Sequence, residues 1–267
     1  MAEESTMIGK EVLHDQYADT TRLTARQSLW KHGTGPALHH VVLDLAALHG
    51  TETIVDVGCG NGTYLAELHR RGHNGLVVGL DLSEGMARNS SVHAATAVAD
   101  AQALPLPDGS VDIVLSLHML YHVPNLTQAV AELRRVLRPG GTVLVATNGS
   151  GHTVEAKRIL ATAARAVTGM DVDLDWDTRR FDPVLANRLL GTAFDEVDLH
   201  ELGDTFPVPD PAVITDYVAS WPPESIGLNA GPVWNQVLAA TRELVAAHFA
   251  THSAFVITSR AAVLRCR

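Results

Sequence analysis

Short apolar runs alternate with longer amphipathic stretches along most of this chain. Ile54, Val55 and Val57 form a β-branched run typical of a buried strand. Tyr64–Arg71 follows as a helix that turns Leu65 and Leu68 inward. Leu76–Leu82 is a second strand, Ser83 caps the helix after it, and Ala95–Ala99 is a weaker third strand. Val111–Leu117 is apolar almost throughout, as expected of a strand covered on both faces, and Thr142–Thr147 is its neighbour across a helix predicted for Pro124–Leu137. Strand–helix alternation of this kind predicts an α/β fold with a doubly wound parallel sheet.

The flanking segments read as helical additions. Gly9–His32 carries one or two helices, Gly33–Pro36 breaks them, and Ala37–Leu48 is helical up to the stop at Gly50. Downstream, helices are expected at Val154–Val167 and Asp182–Leu190, and a sixth strand at Phe194–His200. Phe206–Pro211 reads as a linker into helices at Ala212–Ser220 and Val233–Ala250, and Ala254–Leu264 as a last strand. The expected division is an N-terminal helical lid (1–32), a sheet domain (33–203 with 251–267) and a helical lid insertion (204–250). Trp176, Trp221 and Trp234 are candidate pocket walls, with plain packing as the competing role.

The chemistry concentrates where strand one ends. Asp56 is followed by Gly58, Gly60 and Gly62, a G-x-G-x-G turn that opens a helix. Glycines there allow a sharp turn and a close approach of ligand to backbone. The spacing departs from the G-x-G-x-x-G dinucleotide fingerprint. An acid just before the turn repels phosphate and suits a cationic, amine-bearing ligand. Asp81, at the end of strand two, is placed to accept from a ribose diol, and Asp100 follows strand three. Parallel sheets bind ligands at the carboxyl ends of their strands, so Asp56, Asp81, Asp100 and His118 fall on one rim.

Composition narrows the partners. With 30 Asp and Glu against 20 Lys and Arg, the formal charge of −10 gives no footprint for nucleic acid or an anionic membrane. The two cysteines, Cys59 and Cys266, make no disulfide framework and fit a reducing compartment. No apolar run is long enough to span a bilayer, and a soluble cytoplasmic protein, monomer or homodimer, is expected. The 14 histidines are scattered, and His39–His40 has no acid or cysteine at ligand spacing, so no metal site is expected.

The strand–glycine-turn–helix unit with its strand-end acids resembles the class I S-adenosylmethionine-dependent methyltransferases. The likeness is greatest to the small-molecule branch typified by the ubiquinone and menaquinone C-methyltransferases. Three further stretches carry it: Ala99–Asp112, similar to the adenine-contacting turn, Ser116–Pro124, similar to the active-site end of strand four, and Leu133–Val145, similar to the helix–turn–strand-five unit. The resemblance implies a seven-stranded Rossmann-like sheet whose last strand is antiparallel. It also implies S-adenosylmethionine as cofactor, S-adenosylhomocysteine as product and a small organic methyl acceptor. Cofactor contacts implied on this chain are Asp56, Gly58, Gly60, Asn61, Asp81, Leu82, Met86, Asp100, Ala101 and Leu117, with Tyr17 or Trp30 as an aromatic over the cleft. His118 and His122 are the candidate bases, since neutral imidazole suits proton removal near pH 7. An RNA or protein methyltransferase, or a protein that binds the cofactor without turnover, uses the same residues and stays open at this point.

Overall fold

The computed structural model describes residues 20–173 and 178–267. Tyr17 and Trp176 lie outside them, as does part of the acidic stretch 171–177. Seven strands form one sheet in the order β3-β2-β1-β4-β5-β7-β6. They are β1 (Ile54–Val57), β2 (Val77–Asp81), β3 (Ala95–Val98), β4 (Val111–Leu117), β5 (Leu137–Asn148), β6 (Val197–Val208) and β7 (Phe255–Cys266). The first five run parallel, and β7 is antiparallel to both β5 and β6.

Residue alternation sorts the sheet into two faces. Val55, Val57, Val114, Val143 and Val145 face α5 (Leu126–Val136) and α7 (Pro183–Leu190). Ile54, Ile113, Leu115, Leu144 and Ala146 face α2 (Leu38–Leu45) and α3 (Thr63–Arg70). The helix α4 (Glu84–Ser90) begins at Ser83, whose side chain accepts from the Met86 amide. Pro183 and Pro211 open α7 and α8 (Pro211–Ala219) behind capping Asp182 and Asp210.

The region expected as a linker is strand. β6 does not end at His200 but continues to Val208, paired with β7 along its whole length. Only the second half of β7, Ala261–Cys266, pairs with β5, where Ala261 lies opposite Asn148 at the carboxyl end. The other half of the β6–β7 ribbon therefore extends past that end, above the carboxyl rim of the parallel strands. Pro207 and Pro209 misled the sequence reading, since proline is tolerated on an edge strand such as β6. β5 likewise starts at Leu137, ahead of the expected Thr142.

The ribbon extension carries a second apolar core. Phe206, Val208, Phe255 and Ile257 pack with Leu29 of α1 (Thr21–Trp30), Leu160 of α6 (Val154–Thr168), Val218 of α8 and Val237 of α9 (Pro232–Phe249). Trp221 and Trp234 belong to this core and do not line the cleft, which corrects their candidacy as pocket walls. Phe206 is almost fully buried, so Phe206→Ala should cost about 3–5 kcal/mol. Urea unfolding of the two proteins checks this, and a loss under about 1 kcal/mol would mean that the ribbon does not carry the second core.

Candidate functional site

The glycine turn is fastened to β2. The amides of Gly58 and Cys59 donate to the Leu80 carbonyl at 2.7 and 3.0 Å. Gly58, Gly60 and Gly62 all adopt positive φ, and a Cβ on Gly58 would stand 2.8 Å from Met119. The Gly60 amide donates to Asp81 Oδ2 and the Ser83 amide to Asp81 Oδ1, both at 2.8 Å. Burial nevertheless holds the Asp81 carboxyl above its usual range, against the pull of these two donors.

Asp56 has no such support. It is 1% exposed, and its carboxylate takes no hydrogen bond from any described group, with Oδ2 sealed from solvent as well. Burial, then the nearby Asp81 charge, pushes it from the ordinary 3.8 up to about 7. The Tyr64 hydroxyl is raised too, by burial and by Asp56.

A cavity of about 1440 Å³ opens on both acids. Of the residues expected at the cofactor, Asp56, Gly58, Gly60, Asn61, Asp81, Leu82, Asp100, Ala101 and Leu117 all line it. Asp100 accepts from the amide and side chain of Gln102, both at 2.9 Å. Met86 is the exception, being fully buried and off the cavity wall. Asn61 faces α1, exchanging hydrogen bonds with Gln27, which also donates to Thr63 Oγ1 at 3.1 Å. Cys59 also lines the cavity, but burial pushes its thiol up to about 12, which leaves no nucleophile.

His118 follows directly on β4 with φ 55, its amide donating to the Ala146 carbonyl at 2.9 Å. Burial lowers its ring to about 4. His122 ends a short 3-10 turn (Leu120–His122) and is lowered to about 3 by burial, with Arg26 and Arg180 adding to the effect. Both rings line the cavity and both are neutral at pH 7.

Sequence reasoning missed several cavity residues. His152, beyond the end of β5, is buried, and burial, His118 and Lys157 lower it to about 3. Its Nδ1 accepts from the Arg260 amide at 3.1 Å. Trp30 lies over it with ring centroids 5.2 Å apart, and beside Phe206 and Tyr217. The rule that placed His118 on the rim, a polar residue just past a parallel strand, also finds Asn148 and His152. Gln27, Phe206 and Tyr217 arrive from the ribbon and helices above and had no comparable signal.

The fold corrects one expectation about the adjacent histidines. Glu67 of α3 comes close enough to His39 and His40 for the three to share a metal ion. The carboxylate is already engaged by Arg70 at 2.6 Å and Arg71 at 2.9 Å, which hold it at about 2. Two guanidiniums on the one acid oppose a cation there.

Residues 55–145 match a family model described as a methyltransferase domain. A malonyl-acyl-carrier-protein O-methyltransferase from Serratia marcescens is 35% identical over 43% of this chain and 45% of that protein. A 27-O-demethylrifamycin SV methyltransferase from Amycolatopsis mediterranei is 27% identical over 61% of this chain and 62% of its own. The chain thus spans less than two thirds of these curated relatives. Among solved structures, the 4+2 cyclase SpnF superposes with a TM-score of 0.59 at 20% identity, covering 98% of this chain and 97% of that one, a likeness of fold. Sheet order and glycine turn agree with this likeness to a methyltransferase domain over residues 55–145.

The raised carboxyl of Asp56 gives a stability test on the ligand-free protein. A carboxyl whose folded pKa exceeds its unfolded value contributes stability at low pH that is lost as pH rises, here between about 4 and 7. The three lowered histidines act oppositely, costing stability as pH falls below about 6.5. Asp56→Asn removes only the first effect. The variant should gain on wild type by on the order of 3 kcal/mol between pH 4 and 8, measured by urea unfolding at each pH. A constant difference across that range would show Asp56 to be ordinarily ionised.

Proposed function

We propose that this chain is an S-adenosylmethionine-dependent methyltransferase acting on a small organic acceptor, in specialised metabolism. The observation that carries this reading is the pair of cavity acids at the glycine turn, one of them buried without a hydrogen-bond partner. Such a carboxylate is costly unless a cation meets it, and the ammonium group of this cofactor is a cation of suitable kind. Asp81 keeps lone pairs for ribose hydroxyls beyond those its two backbone donors use. Asp100 and Ala101 line the same cavity and are assigned to the base, and Leu82 and Leu117 to apolar contact. Met86 is assigned to packing beneath α4, and Asn61 to holding α1 through Gln27.

When bound, the cofactor supplies a methyl group already activated by positive sulfur. The chain's own residues have to hold the acceptor, exclude water and take up a proton where the acceptor carries one. His118, neutral and on the cavity wall at the end of β4, is assigned to that proton.

Three observations favour a small acceptor. The cavity exceeds the roughly 300–1,000 Å³ of a typical single-ligand site, leaving room for cofactor and acceptor together. Helices α1 and α8 and the ribbon contribute Trp30, Tyr217 and Phe206 to its wall, an arrangement suited to enclosing a molecule rather than tracking a polymer. The net charge of −10 offers little to nucleic acid. The rifamycin-modifying relative is named for a small-molecule acceptor. Among the described residues no helix is long and apolar enough to cross a membrane.

Calorimetry with S-adenosylhomocysteine tests the cofactor site. Asp81→Asn should weaken binding about 10- to 100-fold through lost charge-assisted hydrogen bonds, and equal affinity would overturn the assignment. With an acceptor that turns over, His118→Ala should lower kcat about 100-fold while cofactor affinity holds. A loss under threefold removes His118 from the role.

A further inference from the structure

Two imidazoles, His118 and His152, line the same cavity, and their ring nitrogens are not equivalent. His152 Nδ1 accepts a hydrogen bond from the Arg260 amide. A nitrogen that accepts carries no proton, so the neutral ring must hold its proton on Nε2. That Nε2 is bonded to no described group and is not sealed from the cavity His152 lines. The backbone has thus fixed His152 as a hydrogen-bond donor. His118 is different. Its ring takes no hydrogen bond from a described group, so one of its nitrogens offers a lone pair to the same cavity. The two rings are near enough that charge on His118 acts on His152. Trp30 packs on His152, with Phe206 and Tyr217 beside it, giving an aromatic wall for a flat molecule.

We infer that His152 is an acceptor-recognition residue, donating from Nε2 to a carbonyl oxygen of a planar methyl acceptor whose hydroxyl, conjugated to that carbonyl, meets His118. This rests on the methyltransferase reading and narrows its substrate class. In the proton step the acceptor O–H bond breaks, the proton goes to the free ring nitrogen of His118, and the electron pair stays on the acceptor oxygen.

The strength of the base agrees. Burial makes His118 a weak base, and a simple alcohol would keep its proton against it. A hydroxyl conjugated to a carbonyl is far more acidic, because the negative charge spreads onto the carbonyl oxygen. A donor on that oxygen increases the acidity further. A fixed donor also rejects an analogue that lacks the matching oxygen, since its own N–H is then left unpaired in a dry site.

Three probes separate these features, each titrated into the full chain saturated with S-adenosylhomocysteine. They are 7-hydroxycoumarin, with hydroxyl and carbonyl, coumarin, with carbonyl alone, and 2-naphthol, with hydroxyl alone. 7-Hydroxycoumarin should bind at least about tenfold more tightly than either of the others. His152→Asn, whose side-chain oxygen can still accept from the Arg260 amide, should bring it to the level of 2-naphthol. In the wild-type protein, nitrogen-15 spectra of the histidine rings should show His152 protonated on Nε2, with that nitrogen shifted by 7-hydroxycoumarin. The ring spectrum does not depend on the variant folding. Equal binding of the three probes, no binding of 7-hydroxycoumarin, an unchanged preference in His152→Asn, or a proton on Nδ1 would each overturn the proposal while leaving methyl transfer to other acceptors intact. Failure of S-adenosylhomocysteine itself to bind would instead overturn the methyltransferase reading.

Discussion

A carboxylate without a partner inside the sheet is the constraint around which the cleft is organised. Asp56 sits in β1, the strand flanked by β2 and β4, where water cannot reach its Oδ2. Leaving a charge in such a place is among the costlier things a fold can do. The neighbouring structure makes no attempt to neutralise it. The backbone donors of the turn, from Gly60 and Ser83, go to Asp81 instead. Asp81 is thereby held as an acid with prepared geometry, and Asp56 as an acid with an unmet need. The need is selective: it favours a cation that can enter the cavity and disfavours a phosphate. The departure from the dinucleotide glycine spacing fits this, because the turn presents a carboxylate where a dinucleotide site would present amides to pyrophosphate.

Above the acids, the enclosure of the cavity depends on the unequal pairing of β7. Half of that strand belongs to the sheet and half to a two-stranded ribbon reaching past the carboxyl edge. Two strands alone are marginal, so the ribbon needs a cover. It obtains one by carrying a second apolar core, to which α1, α6, α8 and α9 all contribute. Stability of the ribbon and closure of the cleft are therefore one packing problem. Asp204 couples them directly, accepting from the amides of Thr34 and Gly35 and so pinning the turn between α1 and α2 onto β6.

Most of the sheet, and the gathering of the strand-end acids on one cavity, were legible in the sequence, because both are set by local signals. β-branched runs, a glycine turn of fixed spacing and acids at strand ends are each read within a few residues. Asp56, Asp81, Asp100 and His118 line one cavity for that reason. The readings that failed needed contacts distant in sequence. Phe206–Val208 looked like a proline-punctuated linker because nothing local reveals that β7 pairs with it. Met86 is spaced for the cleft yet turns into the core, since α4 packs that side against the sheet. Glu67 meets His39 and His40 from a neighbouring helix, with β1 and the glycine turn between them in sequence. His152 was within reach of the strand-end rule, but the glycine-rich stretch before it hid the end of β5.

The way α1 is fastened bears on how molecules enter so enclosed a site. Its apolar contribution to the second core is Leu29, its one fully buried side chain. Trp30 adds edge contacts to Phe206 and Tyr217, and the remaining attachment is polar: Gln27 to Asn61 and Thr63 at the glycine turn, and Arg26 to the Ser220 carbonyl at 2.8 Å. Part-buried hydrogen bonds of this kind contribute about 1 kcal/mol each in net terms, because water replaces them when they break. A helix held by a continuous apolar stripe would resist opening, whereas one held by a leucine, a part-exposed tryptophan and a few exchangeable hydrogen bonds can separate at lower cost. Leu23, 3.3 Å from where a Cβ of Gly60 would stand, also shows that α1 rests directly on the turn. Any ligand that fills the space over the turn must therefore be accommodated by α1, so the same glycines that admit a ligand also set the seat of the helix that covers it.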